Sequence, residues 1–519
     1  MQQTLVGNPR SVSRWLGASM SATALLLAAC GGGGDAAPTP EQALGAASCD
    51  SRVNNTFNKL LECVTLEGVR SHQAALQAIA DANNGIRTSG TLGYDQSVAY
   101  AEQVFRSAGY NVTRQEFQFQ TFISLSPSIL EQVAPAPAGP LANDIMSYSG
   151  SGDVTAAVTA LAAPPADTTP GCEAADFAGF PAGNVALNSR GSSTFAIKAT
   201  NAFNAGASGV VIYNNIAGPL NGTLGNTFTL NIGATGITQA LGQQLATTAG
   251  LVLRLKTDTF RGIATTSNVI AESKSGDANN VVMVGAHLDS VNAGPGINDN
   301  GSGSAAILET AVQMAKVKPR NKIRFALWGA EEASLVGSTY YVNNLLQAER
   351  DRIALYLNFD MIGSPNHVFF IYDGDNSDGD GAPAGPAGSA EIEKAFEGYF
   401  TQRGIPFKGT DFSSRSDYGP FIAAGIPAGG LFTGAEGVKT AAEAALFGGT
   451  AGIAYDPCYH QACDTFANVN NFALDVNSDA VAFARLLYAM NTESINGKRG
   501  KGNFREPLKW KPYPPVEAQ

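Results

Sequence analysis

The chain has 519 residues, of which 44% are hydrophobic and 15% are charged, and this is enough for a large core in two or three domains. It carries a formal net charge of −11 at pH 7 and has a sequence pI near 5.0. Because lysine and arginine are few, the composition argues against nucleic acid as a partner. It is compatible with a soluble enzyme that works outside the cytoplasm.

Residues 1–29 have the pattern of a signal peptide and are not expected to belong to the fold. Arg10 and Arg14 form a basic start, and the small apolar residues of 16–29 follow in a run too short to span a bilayer. The run ends in Leu-Ala-Ala before Cys30 and resembles a bacterial lipobox, which implies cleavage before Cys30 and acylation of its thiol. Secretion without a lipid, after cleavage at a nearby alanine, is the alternative.

Residues 30–48 begin with a glycine run and are interpreted as a flexible linker. Acyl chains on Cys30 would hold the protein on a membrane surface without a spanning helix. We therefore expect a protein of the bacterial cell envelope, lipid-anchored on the outer side of a membrane. If the lipid is absent, we expect a secreted protein.

The remaining cysteines predict disulfides, because an exported protein folds in an oxidising compartment. Two local pairs are predicted, Cys49 with Cys63 and Cys458 with Cys463. The second pair would close a short loop and fix the backbone around His460. Cys172 is left without a partner.

The amino-terminal part of the fold is predicted to be mainly helical. Apolar residues at helical spacing predict helices over 71–82 and 95–108, and alternation predicts a strand over 110–122. From residue 124 to 260 the sequence changes to proline, alanine, glycine and serine with short β-like runs. Within it we predict strands at 184–187, 210–213 and 251–255 and a helix at 198–207.

Strands and helices alternate from residue 267 onward. We predict strands over 281–286, 322–328, 354–359 and 368–372, and helices over 303–315, 333–346 and 480–490. The continuous apolar run of 281–286 is typical of a central parallel strand. The alternation predicts an α/β sheet covered by helices on both faces. The tail 493–519 contains proline, is locally basic, and is expected to have no core of its own.

Residues of metal-ligand type follow apolar runs or glycine-rich turns in this second half: His287, Asp289, Asp299, Glu331, Glu332, Asp360 and His460. The chain has only four histidines, and two of them belong to this set. Two imidazoles with three or four carboxylates suit a pair of borderline divalent ions such as zinc. Each signal is weak alone, because a strand end, a helix cap or a surface loop explains it as well.

The spacing suggests distinct roles for these residues. His287 and Asp289 share a face of an extended segment, so Asp289 can accept a hydrogen bond from the ring N–H that is not used for metal. Asp299 can bridge two ions with one oxygen for each. Glu331 and Glu332 lie at a predicted helix start and point in different directions, so one can bind metal while the other acts as a base.

Five motifs in this order resemble one family: His-x-Asp at 287–289, Asp-Asn-Gly-Ser-Gly at 299–303, Gly-Ala-Glu-Glu at 329–332, Asn-Phe-Asp-Met at 358–361 and Tyr-His at 459–460. The resemblance is to the co-catalytic di-zinc aminopeptidases of metallopeptidase family twenty-eight, and it covers 50–123 and 261–490. It implies a mixed, mainly parallel central sheet of the zinc-exopeptidase type. The peptidase domain would consist of 49–123 and 261–492.

The resemblance also implies a site. One zinc would bind His287 and Asp360, the other would bind Glu332 and His460, and Asp299 would bridge them. Glu331 would be the general base for a water activated by the two zinc ions, and Asp289 would support His287. Tyr459 would stabilise the oxyanion, although a tyrosine here could equally pack against the disulfide. A cis peptide bond between Asp299 and Asn300 is implied as well.

Residues 124–260 resemble an inserted protease-associated domain, smaller and β-rich. The segments 171–177 and 186–191 carry this resemblance. Relatives often have a cysteine at the position that Ser193 occupies here, and that cysteine would pair with Cys172. The insert would either cover or shape the cleft, or serve only as a stabilising accessory.

Two lesser candidates remain. Arg415, followed by Ser-Asp-Tyr, resembles a family segment near the substrate, and a solvated loop explains it equally well. Asp373, Asp375, Asp378 and Asp380 superficially resemble a calcium loop. The pattern fails at Asp378, where the turn needs glycine, and at Ala384, where it needs a bidentate glutamate, so an acidic surface loop is favoured.

The sequence therefore predicts an exported zinc aminopeptidase that acts on peptides with a free, apolar, leucine-like amino-terminal residue. The alternatives are a carboxypeptidase or a glutaminyl cyclase on the same scaffold. A non-catalytic binding ectodomain is a further alternative, and the complete ligand set argues against it.

Overall fold

The computed structural model of the chain describes residues 48–49, 51–220, 222–379, 381, 383–501 and 504. The predicted signal peptide, Cys30, most of the linker and most of the basic tail lie outside the described residues, as does Asp380. Among the residues that are described, no helix combines the length and the apolar character needed to cross a membrane.

The helices, numbered in chain order, are α1 Phe57–Leu61, α2 Leu66–Asp81, α3 Leu92–Ser107, α4 Phe195–Asn204, α5 Gln239–Ala246, α6 Gly301–Gln313, α7 Val336–Asn344, α8 Gln347–Arg350, α9 Ser389–Arg403, α10 Tyr418–Ala423, α11 Ala441–Phe447, α12 Asn471–Met490 and α13 Glu493–Asn496. Short 3-10 helices span Ala174–Phe177 and Phe466–Asn468. Several helices begin where a side-chain oxygen accepts from a backbone N–H, as Thr65 does from Gly68 at α2 and Asn300 does from Gly303 at α6.

The strands are β1 Asn111–Ala134, β2 Gly139–Leu141, β3 Asp144–Ile145, β4 Gly152–Ala160, β5 Val185–Ser189, β6 Gly209–Tyr213, β7 Gly233–Ile237, β8 Val252–Glu272, β9 Asp277–His287, β10 Asn321–Trp328, β11 Ile353–Phe359, β12 Phe370–Tyr372, β13 Lys408–Thr410 and β14 Ala428–Phe432. In the peptidase part their order is β13-β12-β14-β11-β9-β10-β8. β9 pairs in parallel with β10 and β11, and β11 pairs in parallel with β14. β8 and β12 run antiparallel to their neighbours β10 and β14, so the sheet is mixed and mainly parallel, as predicted.

Helices cover both faces of this sheet, as the alternation predicted. Val282 and Val284 of β9 belong to the large core that also contains residues of α2, α3, α6 and α12. Val281 and Met283 belong to a second cluster with Trp328, Tyr341 of α7 and Phe421 of α10. Because successive side chains of a strand point to opposite faces, this division shows that β9 is buried from both sides.

A long antiparallel ribbon connects the peptidase sheet to the inserted region. β1 and β8 pair from Asn111 with Glu272 to Ala134 with Val252, and the register shifts near Ser126. At the far end of the ribbon, β8 pairs antiparallel with β4. From β4 the sheet continues through β5, β6 and β7, and each of these strands pairs in parallel with the one before it. This region has two hydrophobic clusters of its own, so it forms a separate core.

Some boundaries differ from the predictions. The strands predicted at 110–122 and 251–255 extend over the whole of β1 and β8, because the ribbon continues beyond the segments that alternate clearly. α12 begins at Asn471, nine residues before the predicted start at Ala480. α7 begins at Val336 instead of Ala333, so Glu331 and Glu332 lie in the turn before the helix and not at its start.

Candidate metal centre

The proposed ligands meet at one end of the central sheet. His287 is the last residue of β9, Asp360 directly follows β11, and Glu331 and Glu332 lie in the turn after β10. These strands are parallel, so their carboxyl ends lie at the same edge, where α/β sheets place their sites. Asp299 precedes α6, and His460 comes from the loop before α12.

The five proposed ligands form two overlapping groups, and a third group joins His287 and Glu332 to Glu331. His287, Asp299 and Asp360 place one ligand atom each within 4.8 Å of one another, and so do Asp299, Glu332 and His460. Asp299 belongs to both groups. Its Oδ1 lies 3.1 Å from His287 Nε2, and its Oδ2 lies 3.2 Å from His460 Nε2. Asp299 therefore presents one carboxylate oxygen to each group.

Each group is completed by a further carboxylate. Asp360 Oδ1 lies 3.4 Å from His287 Nε2, and Glu332 Oε2 lies 3.1 Å from His460 Nε2. The Asp299–Asn300 peptide bond is cis, as the resemblance implied.

Asp289 is in place to fix the orientation of His287. His287 Nδ1 lies 3.1 Å from the backbone carbonyl of Asp289 and 3.6 Å from its Oδ1. The nearer acceptor is thus the main chain, whereas the sequence predicted the carboxylate. Asp289 Oδ1 accepts a hydrogen bond from the backbone N–H of Glu331 at 3.3 Å, so the same side chain also fixes the turn that carries the two glutamates.

The donor set fits divalent cations. Asp360 Oδ1 and Glu332 Oε1 are buried and have no hydrogen-bond partner in the described part of the chain. Buried carboxylate oxygens normally have partners, and both of these oxygens lie within the two ligand groups. Asp360 Oδ1 faces His287, and a cation there would satisfy it; a cation near Glu332 would satisfy the second oxygen.

Neighbouring carboxylates raise the pKa of both histidines of the cluster. Burial alone would lower the pKa of His460, but Glu332 and Asp299 raise it to about 10. Burial likewise acts to lower the pKa of His287, and Glu331 and Asp360 raise it well above the ordinary range. Groups that bind protons this strongly release them when a metal binds in their place.

The carboxyl group of Glu331 is buried beside the proposed ligands. Burial raises its pKa well above the usual range, and Glu332 raises it further against an opposing effect of His287. Its Oε2 lies 4.0 Å from His287 Nε2, next to the centre. A raised pKa means that the Glu331 carboxylate is a stronger base than an ordinary carboxylate.

The loop that delivers His460 is fixed by contacts that sequence reasoning missed. Cys458 and Cys463 form the predicted disulfide. The Asp464 carboxylate accepts from the backbone N–H groups of Asn298, at 2.8 Å, and Asp299, at 3.0 Å. The sequence signal was a pair of acidic residues, Asp456 and Asp464, on either side of the disulfide, and Asp456 accepts a hydrogen bond from the side chain of Asn298.

Two further residues that were missed support the centre. Ser416 Oγ donates to Asp360 Oδ2 at 2.6 Å, which leaves Oδ1 directed at His287. Arg87 is fully buried and donates to the carbonyls of Leu288, Pro295 and Gly296. These carbonyls lie on the segment between His287 and Asp299, so one guanidinium fixes the backbone of that segment.

Several non-glycine residues at the centre have left-handed backbone conformations. His460 has φ of 57°, Ala330 before Glu331 has φ of 55°, and Met361 after Asp360 has φ of 48°. Such conformations are unfavourable for residues with a side chain and persist where the surroundings enforce them. These conformations change the direction of the backbone at three positions that carry or adjoin the proposed site residues.

A cavity of about 90 Å³ opens onto the ligands. Its apolar wall consists of Met361, Tyr372, Tyr418 and Phe432, and its polar rim includes Asp411, Arg415 and Tyr459. Arg415 Nη2 donates to the hydroxyl of Tyr459 at 3.2 Å, and the Tyr459 ring stacks on the imidazole of His460 at a centroid distance of 3.8 Å. The segment that starts at Arg415 therefore faces the cavity and is not a solvated loop elsewhere.

The other sequence candidates lie apart from this centre. Cys49 and Cys63 form the predicted disulfide, and Cys172 is a free cysteine beside the hydroxyl of Ser193. Asp373 accepts hydrogen bonds from the backbone N–H groups of Ser377 and Asp378, and it forms a group with Asp375 and Glu393 whose ligand atoms lie within 4.8 Å of one another.

Comparison with known proteins gives two matching families. The family described as Peptidase family M28 matches residues 268–484, and the PA domain matches residues 154–245. An aminopeptidase of Pseudomonas aeruginosa is 48% identical over 453 residues, which cover 84% of this chain and 83% of the relative. Leucine aminopeptidase 2 of Trichophyton rubrum is 42% identical over 456 residues, which cover 86% and 89%.

A third relative is the probable lipoprotein aminopeptidase of Mycobacterium tuberculosis, 42% identical over 450 residues, which cover 84% of this chain and 87% of the relative. Two solved structures are similar. The aminopeptidase from Aneurinibacillus sp. strain AM-1 has a TM-score of 0.64 at 28% identity, and the match covers 88% of this chain and 100% of the Aneurinibacillus chain. BSAP, a zinc aminopeptidase from Bacillus subtilis, has a TM-score of 0.61 at 26% identity, and the match covers 81% of this chain and 94% of the BSAP chain. The chain belongs to peptidase family M28, carries a PA domain, and is a metallo-aminopeptidase.

Proposed function

We propose that the protein is an exported two-zinc aminopeptidase that removes apolar, leucine-like residues from the free amino terminus of peptides. The observation that carries this proposal is the position of Asp299, whose two oxygens face two separate histidine and carboxylate groups. A carboxylate in this position suits a centre of two ions. The relatives named aminopeptidase and leucine aminopeptidase support the substrate class.

In the proposed centre, His287 and Asp360 would hold one zinc ion, Glu332 and His460 would hold the other, and Asp299 would contribute to both. Zinc, when bound, supplies Lewis acidity for the scissile carbonyl and lowers the pKa of water. Asp289 and Ser416 keep His287 and Asp360 in the orientations that the ligand groups need.

Glu331 is the proposed general base. Its carboxylate takes a proton from the attacking water and returns that proton to the leaving amine, so the base is regenerated in each cycle. Its burial and raised pKa support this role. The proposed role of Tyr459 is to donate its O–H to the carbonyl oxygen on which negative charge develops.

The cavity supports an apolar amino-terminal residue in the substrate. Its wall includes aromatic and apolar side chains, which suit a leucine-like side chain. The free α-amine would be bound by the carboxylates around the centre.

The rival activities find less support. A carboxypeptidase needs a basic group for the substrate carboxylate, and the candidate Arg415 already pairs with Glu436 at 2.8 Å. A glutaminyl cyclase would work with one zinc ion, whereas two complete ligand groups share Asp299 here. A non-catalytic ectodomain would not need Glu331 in its present position.

The deciding experiment compares the hydrolysis of leucyl p-nitroanilide with that of its N-acetylated form and measures bound zinc. We expect about two zinc ions per chain and activity on the unblocked substrate only. Glu331→Ala should retain zinc and lose roughly 10²–10⁴-fold in kcat. Glu116→Ala, at an exposed position, is the control and should behave like the wild type. Hydrolysis of the blocked substrate alone, or a protein without zinc, would refute the proposal.

Export and lipid anchoring through Cys30 are part of the proposal. The two disulfides and the lipoprotein relative support them. Mass spectrometry of the mature amino terminus should find acylated Cys30, and Cys30→Ala should release the protein from membranes. A mature amino terminus that lies after Cys30 and carries no lipid would instead indicate secretion without a lipid anchor.

A further inference from the structure

An ion pair at the rim of the cavity holds the hydroxyl of Tyr459. Arg415 Nη1 lies 2.8 Å from Glu436 Oε1, and Arg415 Nη2 donates to Glu436 Oε2 at 3.2 Å. The same Nη2 donates to the Tyr459 hydroxyl oxygen at 3.2 Å. The guanidinium thus joins a carboxylate on one side to a phenol beside the metal centre on the other.

The chemistry of arginine sets the direction of the tyrosine proton. A guanidinium has only N–H donors and no acceptor, so the hydroxyl of Tyr459 must be the acceptor in its contact with Arg415. The O–H bond of Tyr459 therefore points away from Arg415 and remains free to donate. The ring cannot turn freely, because it stacks on His460 with an interplanar angle of 24°.

Stability alone does not account for the ion pair. The side chains of Arg415 and Glu436 are 58% and 57% exposed. Exposed pairs of this kind contribute little to folding, because water screens the charges and two long side chains lose freedom. The fork-shaped contact with Glu436 does, however, restrict the guanidinium to one plane, and that plane determines where Nη2 meets Tyr459.

We propose that Arg415, held by Glu436, is a positioning residue that directs the Tyr459 hydroxyl proton toward the carbonyl oxygen of the bound substrate. The inference rests on the proposed function, because it assigns that oxygen to the substrate of an aminopeptidase. In this role Arg415 acts through Tyr459. Glu436 acts one step further away, through Arg415.

The test is a double-mutant cycle on the full-length, zinc-loaded protein, with leucyl p-nitroanilide as substrate. Tyr459→Phe should lower kcat by roughly 10²-fold, the range for one lost oxyanion donor. Arg415→Met should lower kcat by about 10-fold when Tyr459 is present and by less than about 2-fold in the Tyr459→Phe background. Glu436→Gln should have a smaller effect in the same direction, and Arg415→Lys should recover part of the loss.

Two further readouts separate positioning from structure. The affinity for a tetrahedral phosphonate analogue of leucine should fall with kcat, while KM and zinc content stay within about 2-fold of wild type. Arg254→Met removes another exposed arginine, which pairs with Asp153 in the inserted region, and should leave all these values unchanged.

The outcomes are decisive in both directions. Equal losses from Arg415→Met in both backgrounds, a rise in KM without loss of kcat, or no effect of Tyr459→Phe would overturn the inference. Failure of the wild type to release leucine would refute the proposed function itself. An active wild type with an additive cycle would refute only the role of Arg415.

Discussion

At the scale of single residues, a buried hydrogen-bond chain fixes Asp360. Trp328 Nε1 donates to the Tyr356 hydroxyl at 2.8 Å, which donates to Asn358 Oδ1 at 3.0 Å. Asn358 Nδ2 donates to Ser416 Oγ at 2.8 Å, and Ser416 donates to Asp360. Because an indole N–H can only donate, the direction of every bond in the chain follows from Trp328.

Removing one link should therefore weaken the centre from a distance. Tyr356→Phe deletes a hydroxyl that is fully buried and does not touch the ligand groups. We expect zinc affinity to fall by roughly 10-fold, the range for partners that orient metal ligands. Zinc competition with a chelator measures this. Tyr488→Phe removes another buried hydroxyl, which donates to the Glu391 carbonyl, and should leave zinc affinity unchanged. Equal affinities in both variants would contradict the prediction.

A buried histidine away from the centre should make stability depend on pH. His367 is 8% exposed and packs against the ring of Phe369 at a centroid distance of 4.9 Å. Burial, with help from Lys439, lowers its pKa from 6.5 to about 4. Between pH 6.5 and 4 the unfolded chain binds a proton at this position and the folded chain does not. The free energy of unfolding should therefore fall as the pH is lowered through this window.

His367→Phe removes the titrating group and keeps an aromatic ring. Its urea unfolding free energy should fall less steeply than that of the wild type between pH 6.5 and 4, by an amount on the order of 1–3 kcal/mol in total. Both proteins share all other titrating groups, so the difference isolates His367. Parallel curves would show that folding does not lower the pKa of this histidine.

At the scale of elements, α6 approaches the end of β11 through a glycine. A Cβ on Gly303 would lie 2.1 Å from the carbonyl oxygen of Phe359, and backbone cannot move aside cheaply. This contact sets the distance between Asp299, just before α6, and Asp360, just after β11. The Asn300 side chain adds a second contact between the two elements, because it donates to the Phe359 carbonyl at 2.9 Å.

Gly303→Ala should therefore separate the two elements. We expect a loss of roughly 1–3 kcal/mol in the free energy of unfolding, together with weaker zinc binding, because Asp299 moves with the helix. Gly139→Ala is the control, since nothing lies within 4 Å of its added Cβ. Chemical denaturation and zinc titration give both values. If Gly303→Ala lost stability without weakening zinc binding, the close approach would matter for packing alone.

The parts of the site that sequence could predict are those that depend on local pattern. Apolar runs marked β9, β10 and β11 closely, and a ligand at the end of each parallel strand follows from sheet geometry. Asp464 could not be assigned, because its partners lie 165 and 166 residues earlier. Ser416 is 56 residues from Asp360, and its role depends on the fold of a loop that has no periodic pattern. Residues 333–335, in the turn that follows Glu332, were predicted as helix because left-handed residues such as Leu335 leave no sequence signature.

At the scale of the whole molecule, the inserted region is joined through the β1–β8 ribbon and lies outside the cavity lining. Every residue that lines the cavity falls between His287 and His460. The ribbon reaches the peptidase loops through Asn292, whose side chain donates to the Phe122 carbonyl at 2.8 Å. We propose that the peptidase domain can be separated from the insert on the near side of the ribbon, where Ile123 pairs with Phe260.

Replacing residues 124–259 with Asn-Gly would close the ribbon as a two-residue hairpin, since Ile123 and Phe260 are opposite one another. The shortened protein keeps the Asn292 contact and all cavity residues, so we expect it to fold and bind zinc. Its kcat/KM for leucyl p-nitroanilide should stay within about 3-fold of wild type, because none of the residues that line the cavity is removed. Peptides of eight or more residues extend beyond it, and there the insert can act. A change in kcat/KM for such peptides alone would mean that the insert shapes the cleft, whereas unchanged rates for both substrates would assign it a stabilising role. Loss of leucyl p-nitroanilide hydrolysis in a folded, zinc-bound protein would contradict the separation.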